Sequence, residues 1–298
     1  MLALQNVRFA VFEGVSLYDI LKFFFKEIFV SDVHTRASAV SFSVFLAIFP
    51  AIIFLFTLIP YLPISNLEQE ILLSFQQIMP INAYLTLRST IQDIASNQNG
   101  NLLSLGFVLA LFFATNGILA IIEDFDKSEK VFDSRSFVRQ RLVALALTLI
   151  ISFLLVIATV LVIGGNFALS FLEQNHIVKD QSILAALWTS KWAIIVFTVF
   201  SAISVLYYFG PSGYVYRRWR FLLPGAVLAT VLFVVTSVGF SYYVNNFGQY
   251  NKLYGSIGTI MVIMLWIYFN ITVILIGFEL NASLYVMQKH LKNKITIR

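Results

Sequence analysis

The chain has no cysteine, which excludes disulfides and thiolate metal sites and leaves the redox compartment unread. Histidine is nearly as scarce. His34, His176 and His290 are far apart, with no second histidine at ligand spacing, so the clustered His and Asp of a metallonuclease centre are not available. No GxxxxGK[ST] stretch occurs, so the chain carries no nucleotide-driven motor of its own, and no cofactor is expected. The run EDFDKSEKVFD lacks the glycine-turned loop of a calcium site, and its interleaved lysines read as a solvated loop. Nor is there a basic groove with interleaved aromatics on a soluble domain, so nucleic acid is not an expected partner. The opening MLALQNVRFAVFEG lacks the pattern of a cleaved signal peptide, and the amino terminus is expected to be kept.

Charge is the most telling shortage. Charged residues make up 12% of the chain and hydrophobic ones 59%, against about a quarter and about half in soluble domains, so the apolar excess calls for a non-aqueous solvent. From Ala37 to Leu62 no side chain is ionisable, and 26 residues at about 1.5 Å each cross a hydrocarbon core of about 30 Å. Further apolar runs at 102–122, 142–165, 187–210, 221–244 and 255–278 make six spans. The expected fold is an all-α polytopic membrane bundle. Its transmembrane domain covers 37–285, including an external loop over 63–100 whose apolar spacing predicts capping helices. A cytoplasmic segment, 1–36, precedes it with an amphipathic interfacial helix over 15–31, and a tail, 286–298, follows.

Positive charge sets the orientation. The amino-terminal segment holds four Lys or Arg, the second loop five, the fourth loop three and the tail four, against three in the intervening loops, with Lys191 inside a span. Both termini are therefore expected in the cytoplasm. The formal charge of +5 reads first as topology and then as attraction to anionic lipid.

Several blocks, taken in order and spacing, resemble the YihY/virulence factor BrkB family. They are RASAVSFSVFLAIFP, TNGILAIIEDFDKS followed by RQRLVALALTL, FGPSGYVYRRWRFLLPGAVLA, and LYGSIGTIMVIMLWIYFNITVILIGFELNA. The last block, with Tyr254, Gly255, Trp266, Tyr268, Gly277, Glu279 and Asn281, is the most specific, and the likeness extends over residues 30 to 285. The resemblance implies a bacterial inner-membrane protein of six helices, long carried under a misassigned ribonuclease BN label, with members linked to virulence and to export of lipids or lipopolysaccharide precursors. After the second span this chain reads Asp126 and Lys127 where the family tends to have Asn and Tyr, so no role is carried over to that turn.

Candidate pathway or gate residues are Arg36, Pro50, Asn116, Arg141, Asn270 and Glu279. Pro50 removes a helical hydrogen bond at the Leu46 carbonyl, either as a packing kink or as a hinge lining a cavity. Asn116 and Asn270 lie deep in spans, where an amide either bonds a neighbouring helix or meets a polar head group. Glu279 reads as the only carboxylate embedded in an apolar segment, since Glu123 and Asp124 lie at the cytoplasmic end of the second span; it is expected near Arg36, Arg141 and the RRWR group, in a structural ion pair or a gate. Ser38, Ser41, Gly225, Ala229, Gly255 and Gly258 read as helix-packing positions, with Pro224 in the first turn of the fifth span. The pairs Gly164 with Gly165 and Gly255 with Gly258 read as helix ends.

The residues and the resemblance together lead to transport, or assisted transport, of a lipid or lipid-linked envelope precursor, with no enzymatic activity. Membrane lipids are the expected partners. The alternative is a non-transporting membrane scaffold that recruits an envelope protein through its outer loop; a ribonuclease has little support, and oligomeric state is not legible. The charge distribution makes one direct prediction. A cysteine placed at Asn99 reacts with an impermeant reagent added to intact spheroplasts; protection there inverts the topology.

Overall fold

A computed structural model describes residues 32–58, 61, 100–128, 135–174, 181–212, 219–247 and 256–296. The expected interfacial helix at 15–31, residues 63–99 of the expected capping loop, and Arg217, Arg218 and Gly255 lie outside them. The described residues form α1 (Val33–Leu58), α2 (Gly100–Ser128), α3 (Phe137–Gln174), α4 (Gln181–Phe209), α5 (Trp219–Phe247) and α6 (Ser256–Thr296), with no strand among them. All six are long and apolar enough to cross a membrane, with mean hydropathies of 2.0 to 3.0 over their most apolar windows.

Helix ends depart from the apolar runs in ways that backbone chemistry explains. Helix α3 passes through Gly164 and Gly165, which are therefore not an end. A mid-helix glycine costs only about 1 kcal/mol, and a helix in hydrocarbon keeps its backbone bonds. Helix α5 starts at Trp219, so Pro224 stands inside it rather than in its first turn. Helix α6 continues through the expected tail to Thr296. Pro50 is buried, and α1 runs through it as one helix.

The chain divides into two compact units, one holding Met1–Ser41 with Ile118–Arg298 and the other Phe42–Gly117. In the smaller unit α1 and α2 lie antiparallel, with small residues letting the backbones approach. A Cβ on Gly106 would stand 3.3 Å from the Phe54 Cα, and one on Gly117 would stand 3.2 Å from Val44 Cγ2. Phe54 and Phe107 pack beside the first contact, with ring centroids 5.4 Å apart.

In the larger unit the core is built around α6. Phe278 stacks on Phe125 of α2 at 4.0 Å between centroids, and Tyr207 of α4 meets both rings edge-on. The Tyr207 hydroxyl donates to the Ile274 carbonyl at 2.5 Å. Away from this level the helices turn large apolar side chains outward, among them Phe153, Val160, Phe197 and Val235, each more than 60% exposed. Water would penalise that surface; a hydrocarbon solvent does not.

Helices α5 and α6 make the closest approach. A Cβ on Gly277 would lie 2.6 Å from the Ala229 Cβ, the Gly225 carbonyl and the Tyr207 hydroxyl, so the packing expected of Gly225 and Ala229 is a contact with Gly277. Gly277→Ala is accordingly expected to lower the melting temperature in detergent through about 1–3 kcal/mol of overpacking. Gly239→Ala, with nothing within 4 Å of the new Cβ, should leave it unchanged or raise it.

Candidate functional site

The first turn of α1 brings a cation into the core of the larger unit. Asp32, at φ 50°, turns the chain into the helix, and its carbonyl accepts the Arg36 amide hydrogen at 3.2 Å. Arg36 then reaches α2 as a fork, donating from Nε to Asp124 Oδ1 at 2.7 Å and from Nη2 to Asp124 Oδ2 at 2.8 Å. The same Nη2 donates to the Asp124 carbonyl at 3.0 Å, close to the negative end of the α2 dipole. Its Nη1 donates to Glu279 Oε1 of α6 at 2.7 Å. One planar guanidinium thus ties three helices, a geometry that a lysine ammonium cannot copy.

Burial makes the cluster costly. The side chains of Asp124 and Glu279 are 4% and 2% exposed, and that of Arg36 is 15% exposed. In such surroundings each charge needs its partners, since removing one leaves the others desolvated. The formal charge of these three side chains together is −1.

Polar contacts around the cluster hold the same level of the bundle. Residues 277 and 281 of α6, four apart, share the face toward Gly225 of α5, and Glu279 between them points about 200° away. Gly277 abuts α5, Glu279 takes Arg36, and the fully buried Asn281 accepts the Gly225 amide hydrogen at 2.8 Å, one residue after Pro224. Asp126 accepts from the Ser212 amide at 2.8 Å and from its hydroxyl at 2.6 Å. Arg135 donates to the carbonyls of Phe209, Gly210 and Pro211, closing the end of α4. Away from that level, about 16 Å from Glu279 along α6, the Tyr268 hydroxyl lies 2.9 Å from His34 Nδ1.

Of the residues singled out by sequence, Arg36 and Glu279 come together. Arg141 sits half-buried in the first turns of α3, its guanidinium 5.1 Å over the Phe137 ring. Asn270 is buried about 13 Å further along α6, where its amide donates to the Trp266 carbonyl and its oxygen accepts from Ser237 of α5 at 3.3 Å. Pro50 and the half-buried Asn116 belong to the smaller unit. Ser41 is buried and Gly258 too, whereas Ser38 is on the exposed side of α1 with its hydroxyl bonded back to the His34 carbonyl.

Sequence reading missed Asp124, which it places with Glu123 at the water end of the second span. The structure buries Asp124 and leaves Glu123 exposed. Glu279 is therefore not alone as an embedded carboxylate. The signal lay in helical spacing, since Asp124 shares a face with the buried Gly117, Ile121 and Phe125 and Glu123 does not. Among the described residues, no three His, Cys, Asp or Glu side chains gather as a metal site would need.

The blocks that build this level extend over most of the chain, and a family model, Virulence factor BrkB, matches residues 24–296. The chain belongs to the BrkB family. It is similar to the putative ribonuclease-like protein YfkH of Bacillus subtilis, 32% identical over 270 residues that cover 89% of this chain and 96% of the relative. It is also similar to a UPF0761 membrane protein of Tolumonas auensis, 26% identical over 290 residues, covering 95% and 92% of the two chains. No solved structure matches it. The fold and the family together make this BrkB-family chain an integral membrane protein with six apolar helices.

The fork can be tested directly. Arg36→Gln is expected to destabilise the protein by about 3–5 kcal/mol, read as an earlier unfolding transition in detergent. Arg36→Lys should recover only part of the loss. A double-mutant cycle of Arg36→Gln with Glu279→Gln should show coupling of at least about 0.5 kcal/mol, and strict additivity would mean the two groups do not share a network.

Proposed function

We propose that this protein moves a lipid or lipid-linked envelope precursor across the cytoplasmic membrane, or helps a partner to do so, with both termini in the cytoplasm. The observation that carries this reading is the Arg36–Asp124–Glu279 cluster, ionisable groups buried among membrane-spanning helices. A buried ion pair is weak support for stability, and a hydrophobic trio could hold the helices as well. Placing three charges where an apolar trio would serve favours a role in which the contacts exchange. The guanidinium fork that grips Asp124 is also the geometry that grips phosphate. In this reading a phosphate-bearing head group competes with the carboxylates for Arg36 and loosens α1 from α2 and α6, while Pro50 supplies compliance to α1.

Proteoliposomes with labelled phospholipids test the proposal. The wild-type protein is expected to speed leaflet exchange over empty vesicles. Glu279→Gln should reduce that exchange by more than its loss of folded protein accounts for, and Pro50→Ala should reduce it with folding intact or improved. Exchange no faster than in empty vesicles, from well-folded protein, would overturn the transport reading and favour the scaffold.

A further inference from the structure

Helices α5 and α6 touch at one level and part at another. Their register is antiparallel, with Gly225 at Gly277 and Asn281, Ser237 at Asn270, and Phe240 at Phe269, ring centroids 6.2 Å apart. At Gly277 there is no room for a Cβ, whereas beside Gly239 there is open space. A groove of about 450 Å³ occupies that space, lined by Thr236, Gly239, Phe240, Tyr243, Leu265 and Phe269. Its size falls within the range of about 300–1,000 Å³ typical of ligand pockets.

From this geometry we infer that the groove is a binding site for one acyl chain of a membrane lipid. The lining holds no ionisable group that is charged at neutral pH, and its hydroxyls are those of Thr236 and Tyr243. Gly239 lies six residues before Asn245, where the apolar run of α5 ends, and Leu265 lies nine residues after Ser256, where α6 begins. These positions are about 9 Å and about 14 Å from those ends, on the side away from the Gly225–Gly277 contact. At that depth the surrounding medium is hydrocarbon, which neither a charged peptide nor water can enter cheaply. Val235 and Val238, on the outward side of α5, are 61% and 54% exposed and continue the apolar surface to the groove. Tyr243, half-exposed, stands two residues before the polar Asn245, where an amphipathic ring meets the head-group level. An acyl chain lying along the Phe240–Phe269 ring pair therefore has its ester end toward Tyr243 and its tail toward Thr236.

This site is separate from the ionic cluster, and its occupancy does not depend on whether lipid is moved. The full chain is placed in vesicles of phosphatidylethanolamine and phosphatidylglycerol with a trace of phosphatidylethanolamine bearing a diazirine in one acyl chain. After irradiation, labelled residues are mapped by mass spectrometry. Label at Thr236 to Tyr243 and Leu265 to Phe269 should exceed that on the exposed α3 residues Val156 and Val160 by about fivefold, the ratio of roughly 1 kcal/mol of preference. Gly239→Phe, which fills the open space, should bring the groove to the level of α3. Equal labelling of both faces in the wild-type protein would make the groove ordinary lipid-facing surface and overturn the site. Labelling below α3, as a second copy or another segment of this chain over the groove would give, would overturn it as well. Groove labelling by a protein that speeds no leaflet exchange would uphold the site while overturning the transport reading.

Discussion

Arg36 must be held by carboxylates, and much of the larger unit is arranged so that it can be. The side chain sits in the first turn of a helix that is apolar for the rest of its length, so its charge cannot be shed into water along most of that helix. The solution is a fork to Asp124, a further bond to Glu279 and a carbonyl near the end of α2. Each partner is in turn positioned by packing. Phe125 next to Asp124 stacks on Phe278 next to Glu279, so the same ring contact that builds the core sets the two carboxylates beside one guanidinium.

Glycine and asparagine on α6 complete that arrangement from the other side. Gly277 lets α5 approach until the backbones meet, and Asn281 takes the Gly225 amide hydrogen beside Pro224. Polar groups in a dry bundle are satisfied within it or at large cost, which is why a short stretch of α6 contains a close glycine contact and an amide bond on one face and an ion pair on the opposite one. Further along the α5–α6 pair Ser237 bonds Asn270, and past that bond the helices leave a groove beside Gly239.

Membrane character was legible in composition because hydropathy depends on residue type and run length alone, and all six spans were found that way. Helix boundaries were less legible: Gly164, Gly165 and Pro224 look like ends in a sequence, yet intrahelical hydrogen bonding in hydrocarbon carries the helix past them. Asp124 shows the limit more sharply. A carboxylate near the end of an apolar run reads as the start of the aqueous loop, and only its helical face, shared with Ile121 and Phe125, distinguishes it from Glu123.

By itself the sequence determined the solvent, the six helices and the family, because these rest on local composition and on ordered motifs that need no knowledge of neighbours. It also marked Arg36 and Glu279 as costly in that solvent. Which carboxylates share the guanidinium, how closely α5 approaches α6, and where the pair opens were decided only in the tertiary structure. Those properties depend on residues separated by 88 positions between Arg36 and Asp124 and 243 between Arg36 and Glu279. Sequence spacing sets the direction of a side chain around its own helix, and only packing sets what it meets.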